Sequence, residues 1–120
     1  MGRKILAVDD SKTMRDMVAF TLKGAGFDVL IAEDGQHALS VLGGDMVDCI
    51  ITDINMPNLD GIGLIKALRS NPAHRATPIL VLTTESDQTK KSEGRNAGAT
   101  GWIVKPFSPD KLLATVNKVC

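Results

Sequence analysis

Residues 49–61, CIITDINMPNLDG, hold the reading of the fold. The apolar run Cys49-Ile50-Ile51 gives way to Thr52-Asp53, as a short buried strand does where it leaves a core. Asp60-Gly61 alone would signal a hairpin turn, but Leu64, Ile65 and Leu68 follow at helical spacing, so Asp60 reads better as a helix N-cap. A strand that passes into a helix is one α/β unit, and three other segments begin in the same way. Ile5-Leu6-Ala7-Val8 runs into Asp9-Asp10, Ile79-Leu80-Val81-Leu82 into Thr83, and Trp102-Ile103-Val104 into Lys105. As parallel strands of one sheet, these would bring three carboxylates, a hydroxyl and an ammonium to its carboxyl edge, where open α/β sheets place their ligands. Such a set suits a phosphoryl group and a divalent cation.

Outward from that unit, strands are predicted at Lys4–Val8, Asp28–Ala32, Asp48–Thr52, Pro78–Leu82 and Gly101–Val104, each rich in Val, Ile or Leu. Helical patterns separate them. Met14, Val18 and Leu22 recur every fourth residue after Asp10-Ser11, with Gly24 and Gly26 as a stop. Asp34 caps a shorter helix whose inner face is Ala38 and Leu42 and which ends at Gly43-Gly44. In the last helix Ser108 caps, Pro109 takes the first helical position, and Leu112, Leu113, Val116 and Val119 form one stripe. The stretch 85–96, ESDQTKKSEGRN, has no large apolar side chain, and Gly94 costs about 1 kcal/mol against Ala inside a helix. Parallel strands still need a crossover there, so a short, polar, marginal helix is expected.

Composition narrows the function. At 120 residues the chain is about one domain. Fourteen basic residues balance fourteen acidic ones, which leaves no bulk field to recruit nucleic acid or an anionic membrane. The start, Met1-Gly2-Arg3-Lys4 and a short apolar run, is too brief for a signal peptide or a membrane span, and Cys49 and Cys120 read as reduced thiols, so a cytoplasmic protein is expected. Taken singly, each Asp at a strand end is an ordinary cap or turn former. Together, Asp9, Asp10 and Asp53 repel unless a cation neutralises them, and Mg²⁺ suits such an oxygen-only set. His37 and His74 fall away from the strand ends and read as surface residues.

Asp9-Asp10, Asp53 within DINMPNLDG, Thr83 within LTTES and Lys105 within GWIVKPF resemble, in type, order and spacing, the receiver domain of two-component response regulators. The likeness runs from Arg3 to Cys120, so residues 1–120 are expected to form one receiver domain, similar to the stand-alone, CheY-like chemotaxis regulators. It implies a flavodoxin-like, doubly wound α/β fold: a five-stranded parallel sheet of order 2-1-3-4-5, for which CheY is a standard example, with five helices. It also implies that Asp53 accepts a phosphoryl group from a histidine kinase. Asp9 and Asp10 would bind Mg²⁺ with Asp53 and the backbone carbonyl of Asn55, Thr83 and Lys105 would contact the phosphate, and Lys105-Pro106 would be a cis peptide.

Asn55, Glu85 and Thr84 occupy positions that in this family tune loss of the phosphoryl group, and Trp102 stands where a smaller aromatic ring usually moves together with the threonine. The phosphorylated form would then alter binding to an output such as the flagellar motor switch protein, with a phosphatase as a further partner and the chain a monomer. A phosphate sink or phosphorelay intermediate that drains a shared kinase is the alternative. Two other classes fit poorly. A flavodoxin-like cofactor binder would need a phosphate-cradling loop and aromatic rings, but the loop after the first strand reads DDSKT and there is no Tyr. An aspartyl phosphatase would want an acid two residues after its nucleophile, where Asn55 stands.

Overall fold

The computed structural model describes residues 3–43, 46–84 and 88–120. The apolar runs become five parallel strands: β1 (Lys4–Val8), β2 (Asp28–Ala32), β3 (Cys49–Asp53), β4 (Ile79–Thr84) and β5 (Gly101–Lys105). Helices α1 (Lys12–Gly24), α2 (Gly35–Leu42), α3 (Gly61–Ser70), α4 (Gln88–Ala97) and α5 (Pro109–Val119) connect or follow them. The strand order is β2-β1-β3-β4-β5, the flavodoxin-like arrangement. Successive strand side chains point to opposite faces. Leu6, Val8, Ile50 and Val81 therefore enter one core with Leu64, Ile65 and Leu68 of α3, while Ile5, Ala7, Ile51 and Leu80 enter another with Val18 and Leu22 of α1 and Leu112 and Val116 of α5.

Three strands end later than their apolar runs suggest. β3 includes Asp53, β4 reaches Thr84 and β5 reaches Lys105, because ladder pairing continues through the polar residues: Asp53 lies opposite Leu82 and Lys105 opposite Thr84. β3 starts one residue late, at Cys49, with Asp48 still tied to β1: its N–H donates to the Lys4 carbonyl at 2.7 Å and its carboxylate accepts the Lys4 N–H at 2.8 Å. The three expected caps form, with Asp34, Asp60 and Ser108 side chains accepting N–H groups of His37, Gly63 and Lys111, and Ser11 caps α1 by accepting that of Met14. Gly43 closes α2 at φ 48°, and Gly44 lies outside the described residues. At Gly61 a Cβ would overlap the Asp53 carbonyl, so the absence of a side chain lets α3 start directly against the end of β3.

His74 corrects the sequence reading. It is buried, at 3 % exposure, and not on the surface. Arg69 of α3 donates to the carbonyls of His74 (2.9 Å), Arg75 (3.0 Å) and Thr77 (2.7 Å), and folds that loop over the helix end. A loop held by one side chain has no periodicity to read. The polar helix α4 does form, and Gly94 is its one buried residue. Among the described residues no helix is long and apolar enough to cross a membrane.

Candidate functional site

β1 and β3 are neighbours, yet the chain leaves them for opposite sides of the sheet order, and the crevice between their carboxyl ends is where such folds bind ligands. Val8 pairs with Thr52. The next residues, Asp9 and Asp53, are therefore level with each other. One carboxylate oxygen from each of Asp9, Asp53 and Asp10 lies within 4.8 Å of the other two. Lys105, from the far edge strand, reaches back over β4, with its Nζ 3.3 Å from Asp53 Oδ2 and 3.7 Å from Asp9 Oδ2. Thr83 is buried near the end of β4.

The two central carboxylates are held differently. Asp53 Oδ1 accepts the Ile54 N–H at 2.8 Å, which leaves Oδ2 turned to Lys105. Asp9 Oδ1 accepts the Ser11 N–H at 2.9 Å, but its Oδ2 is buried with no hydrogen-bond partner, Lys105 being beyond that reach. Burial raises the Asp9 pKa above its ordinary value, the Ser11 N–H offsets part of this, and the Asp53 charge adds to the rise. An ionised carboxylate with an orphaned oxygen in an acidic crevice is an unfavourable arrangement that a divalent cation relieves. The donors are all oxygens, so the residues fit a hard cation. Asp10 is exposed and completes the acidic set.

Asn55 is exposed in the loop after β3. The Lys105–Pro106 peptide bond is cis. Glu85 lies outside the described residues, as does the side chain of Thr84. Trp102 of β5 lies opposite Val81 of β4, with its ring packed on the core that faces α3 and α4. Its Nε1 is buried without a hydrogen-bond partner, and the Arg95 guanidinium lies 5.2 Å from the ring centre.

Sequence reasoning missed two supports. Arg15 donates from Nη1 to the Asp9 carbonyl at 2.7 Å, and the Thr52 hydroxyl to the Asp53 carbonyl at 2.8 Å. Arg15 falls four residues after the Ser11 cap, one turn into α1, which is the one signal that could have pointed to it. Thr52 gives none, since a buried strand threonine is common.

A family model described as the response regulator receiver domain matches residues 5–117. The chain is 36% identical over 116 residues to Protein PilG of Pseudomonas aeruginosa, covering 97% of this chain and 86% of that one. It is 37% identical over 117 residues to chemotaxis protein CheY of the same organism, covering 97% and 94%. Among solved structures, the chemotaxis response regulator CheY4 of Vibrio cholerae superposes with a TM-score of 0.95 at 48% identity, over 100% of both chains.

Proposed function

The chain belongs to the response regulator receiver domain family, and on that premise we propose that residues 1–120 act as one cytoplasmic, monomeric receiver that a histidine kinase phosphorylates on Asp53. The phosphorylated form then changes its affinity for an output partner, for which the flagellar motor switch protein is the first candidate, in keeping with the chemotaxis proteins among its relatives. The chain is a signalling phosphoacceptor and not an enzyme acting on a separate product.

One observation carries the reading: of the Asp53 oxygens, Oδ1 is occupied by a backbone N–H and Oδ2 faces a lysine inside an acidic crevice. Oδ2 is then the nucleophile. It forms a bond to phosphorus as the bond from phosphorus to the kinase histidine breaks, and that imidazole leaves with the electron pair. Transfer of this kind depends on positioning and charge neutralisation more than on covalent help. Lys105 exchanges its ion pair with Asp53 for one with a phosphoryl oxygen, and the Thr83 hydroxyl supplies a further hydrogen bond. Mg²⁺, held by Asp9, Asp10, Asp53 and the Asn55 carbonyl, would supply further charge neutralisation. Water later hydrolyses the acyl phosphate, at a rate set by Asn55, Glu85 and Thr84.

Asp53→Asn should abolish labelling by acetyl phosphate or a kinase, and a full phosphoryl adduct on that variant, seen by mass spectrometry, would sink the assignment. Asp9 offers a second check. Its raised pKa means that the folded chain holds this proton more tightly than the unfolded chain, whose value is near 3.8. The stability so gained is present below that value and is lost as the pH rises through the folded value. Without Mg²⁺, Asp9→Asn should therefore raise Tm at pH 7 and not at pH values where Asp9 is protonated in both states. Added Mg²⁺ should stabilise the unaltered chain and leave the variant nearly unmoved. Equal Mg²⁺ shifts in both would remove Asp9 from the metal site.

A further inference from the structure

The loop after Asp53 is fixed at two points by residues that the phosphoacceptor chemistry does not use. At its base the Gly61 N–H donates to the Ile54 carbonyl at 2.8 Å. At its tip the Asn58 amide Nδ2 donates to Asp34 Oδ2 at 2.8 Å, across 24 residues of sequence, and the Gly35 N–H donates to the Leu59 carbonyl at 2.9 Å. Asn58 has φ 67°, a left-handed conformation that asparagine adopts more readily than most residues. Gly35 has no room for a side chain, because Leu59 fills the space a Cβ would take. Between these anchors run residues 55–57, with Asn55 next but one to Asp53.

Asp34 divides its two oxygens between separate tasks. Oδ1 caps α2 by accepting the His37 N–H at 2.8 Å, and Oδ2 is left for Asn58. These bonds hold the Asp34 carboxyl below its ordinary pKa, so it is ionised at neutral pH. A hydrogen bond to a charged acceptor is worth more than a neutral one. An α2 cap alone needs only one oxygen, and the second bond restrains the loop.

We propose that Asn58 and Asp34 are positioning residues for the phosphoacceptor site: their hydrogen bond pins the tip of the 54–60 loop to α2, and so sets how well Asn55 and Asp53 present their oxygens to Mg²⁺. The inference rests on the receiver reading above. It predicts that loosening the tip weakens metal affinity even where the helix cap is kept.

Asn58→Gly is the discriminating variant, since glycine tolerates φ 67° and leaves the Asp34–His37 cap in place while removing the amide. In titration calorimetry with Mg²⁺ alone it should bind about fivefold more weakly than the unaltered chain, the loss expected for one hydrogen bond. The exchanged pair, Asp34→Asn with Asn58→Asp, keeps a cap acceptor at 34 and reverses the direction of the bond, and should return affinity to within about twofold. Urea unfolding in EDTA separates positioning from stability. Unchanged Mg²⁺ affinity in Asn58→Gly, with or without a lowered unfolding midpoint, would reduce the pair to a structural cap and overturn the proposal, as would an exchanged pair no better than the single variant. Failure of the receiver reading would look different, as no Mg²⁺ binding by the unaltered chain, and would take this inference with it.

Discussion

α4 and α5 lie on opposite faces of the sheet beside β5 and are held there by opposite means. α5 brings its own apolar stripe: Leu112 and Val116 are fully buried, and Leu113 and Val119 pack beside them. α4 brings almost nothing, burying only Gly94. Its neighbours come to it instead, with Ile62 of α3 and the Trp102 ring of β5 near the Gly94 backbone and Arg95 lying over that ring. A helix placed by its own side chains shares the stability of the core, whereas one placed by a glycine and a borrowed ring opens locally at low cost.

The largest expected effect is on the α5 side. Leu112→Ala should cost about 2–5 kcal/mol in urea unfolding, as for other fully buried leucines, and no single α4 truncation should approach it. A loss under about 1 kcal/mol would erase the contrast. Next, amide exchange in the unphosphorylated chain should be about tenfold or more faster in α4 than in α5, a gap of about 1.4 kcal/mol in opening free energy. Equal protection would mean that the ring and glycine hold α4 as firmly as a stripe does.

Gly94→Ala sharpens the comparison. A Cβ there would meet Ile62 Cδ1 at 3.8 Å, Ala99 Cβ at 3.9 Å and Trp102 Nε1 at 3.9 Å, all ordinary contacts. The substitution should stabilise α4 by about 0.5–1 kcal/mol and slow its exchange selectively. Destabilisation would show that the contact at Trp102 is tighter than it looks. The smallest effect belongs to Arg95→Ala, which removes a partly exposed cation–π contact worth about 0.5–1 kcal/mol. Trp102 is the only tryptophan, so acrylamide quenching reads its exposure directly and should rise. Unchanged quenching would mean that Gly94 and Ile62 seat the ring without the arginine.

Both helices were legible in the sequence, though for different reasons. α5 announced itself by its cap, its proline and its stripe, all local features. α4 was inferred from topology, since parallel neighbours need a crossover, and the lack of apolar residues in 88–96 correctly foretold its shallow burial. Trp102 shows where such reading stops. Its position marked it as a ring that moves together with Thr83, but that the ring packs on the core beside the Gly94 backbone, with Arg95 over it, is a contact between elements that no local pattern shows.

The sequence by itself determined the alternation of strands and helices, the caps at Asp34, Asp60 and Ser108 and the polar residues that end the strands. Each of these depends on periodicity or on hydrogen bonds spanning three or four residues, so neighbouring identities suffice. Only the tertiary structure decided that Asp9 keeps an orphaned oxygen, that Arg69 ties down the loop in which His74 is buried, and that Asn58 reaches Asp34. Those outcomes join residues on different elements, or bury a loop that has no pattern of its own. They follow from how closely packed layers approach one another, which no local pattern encodes.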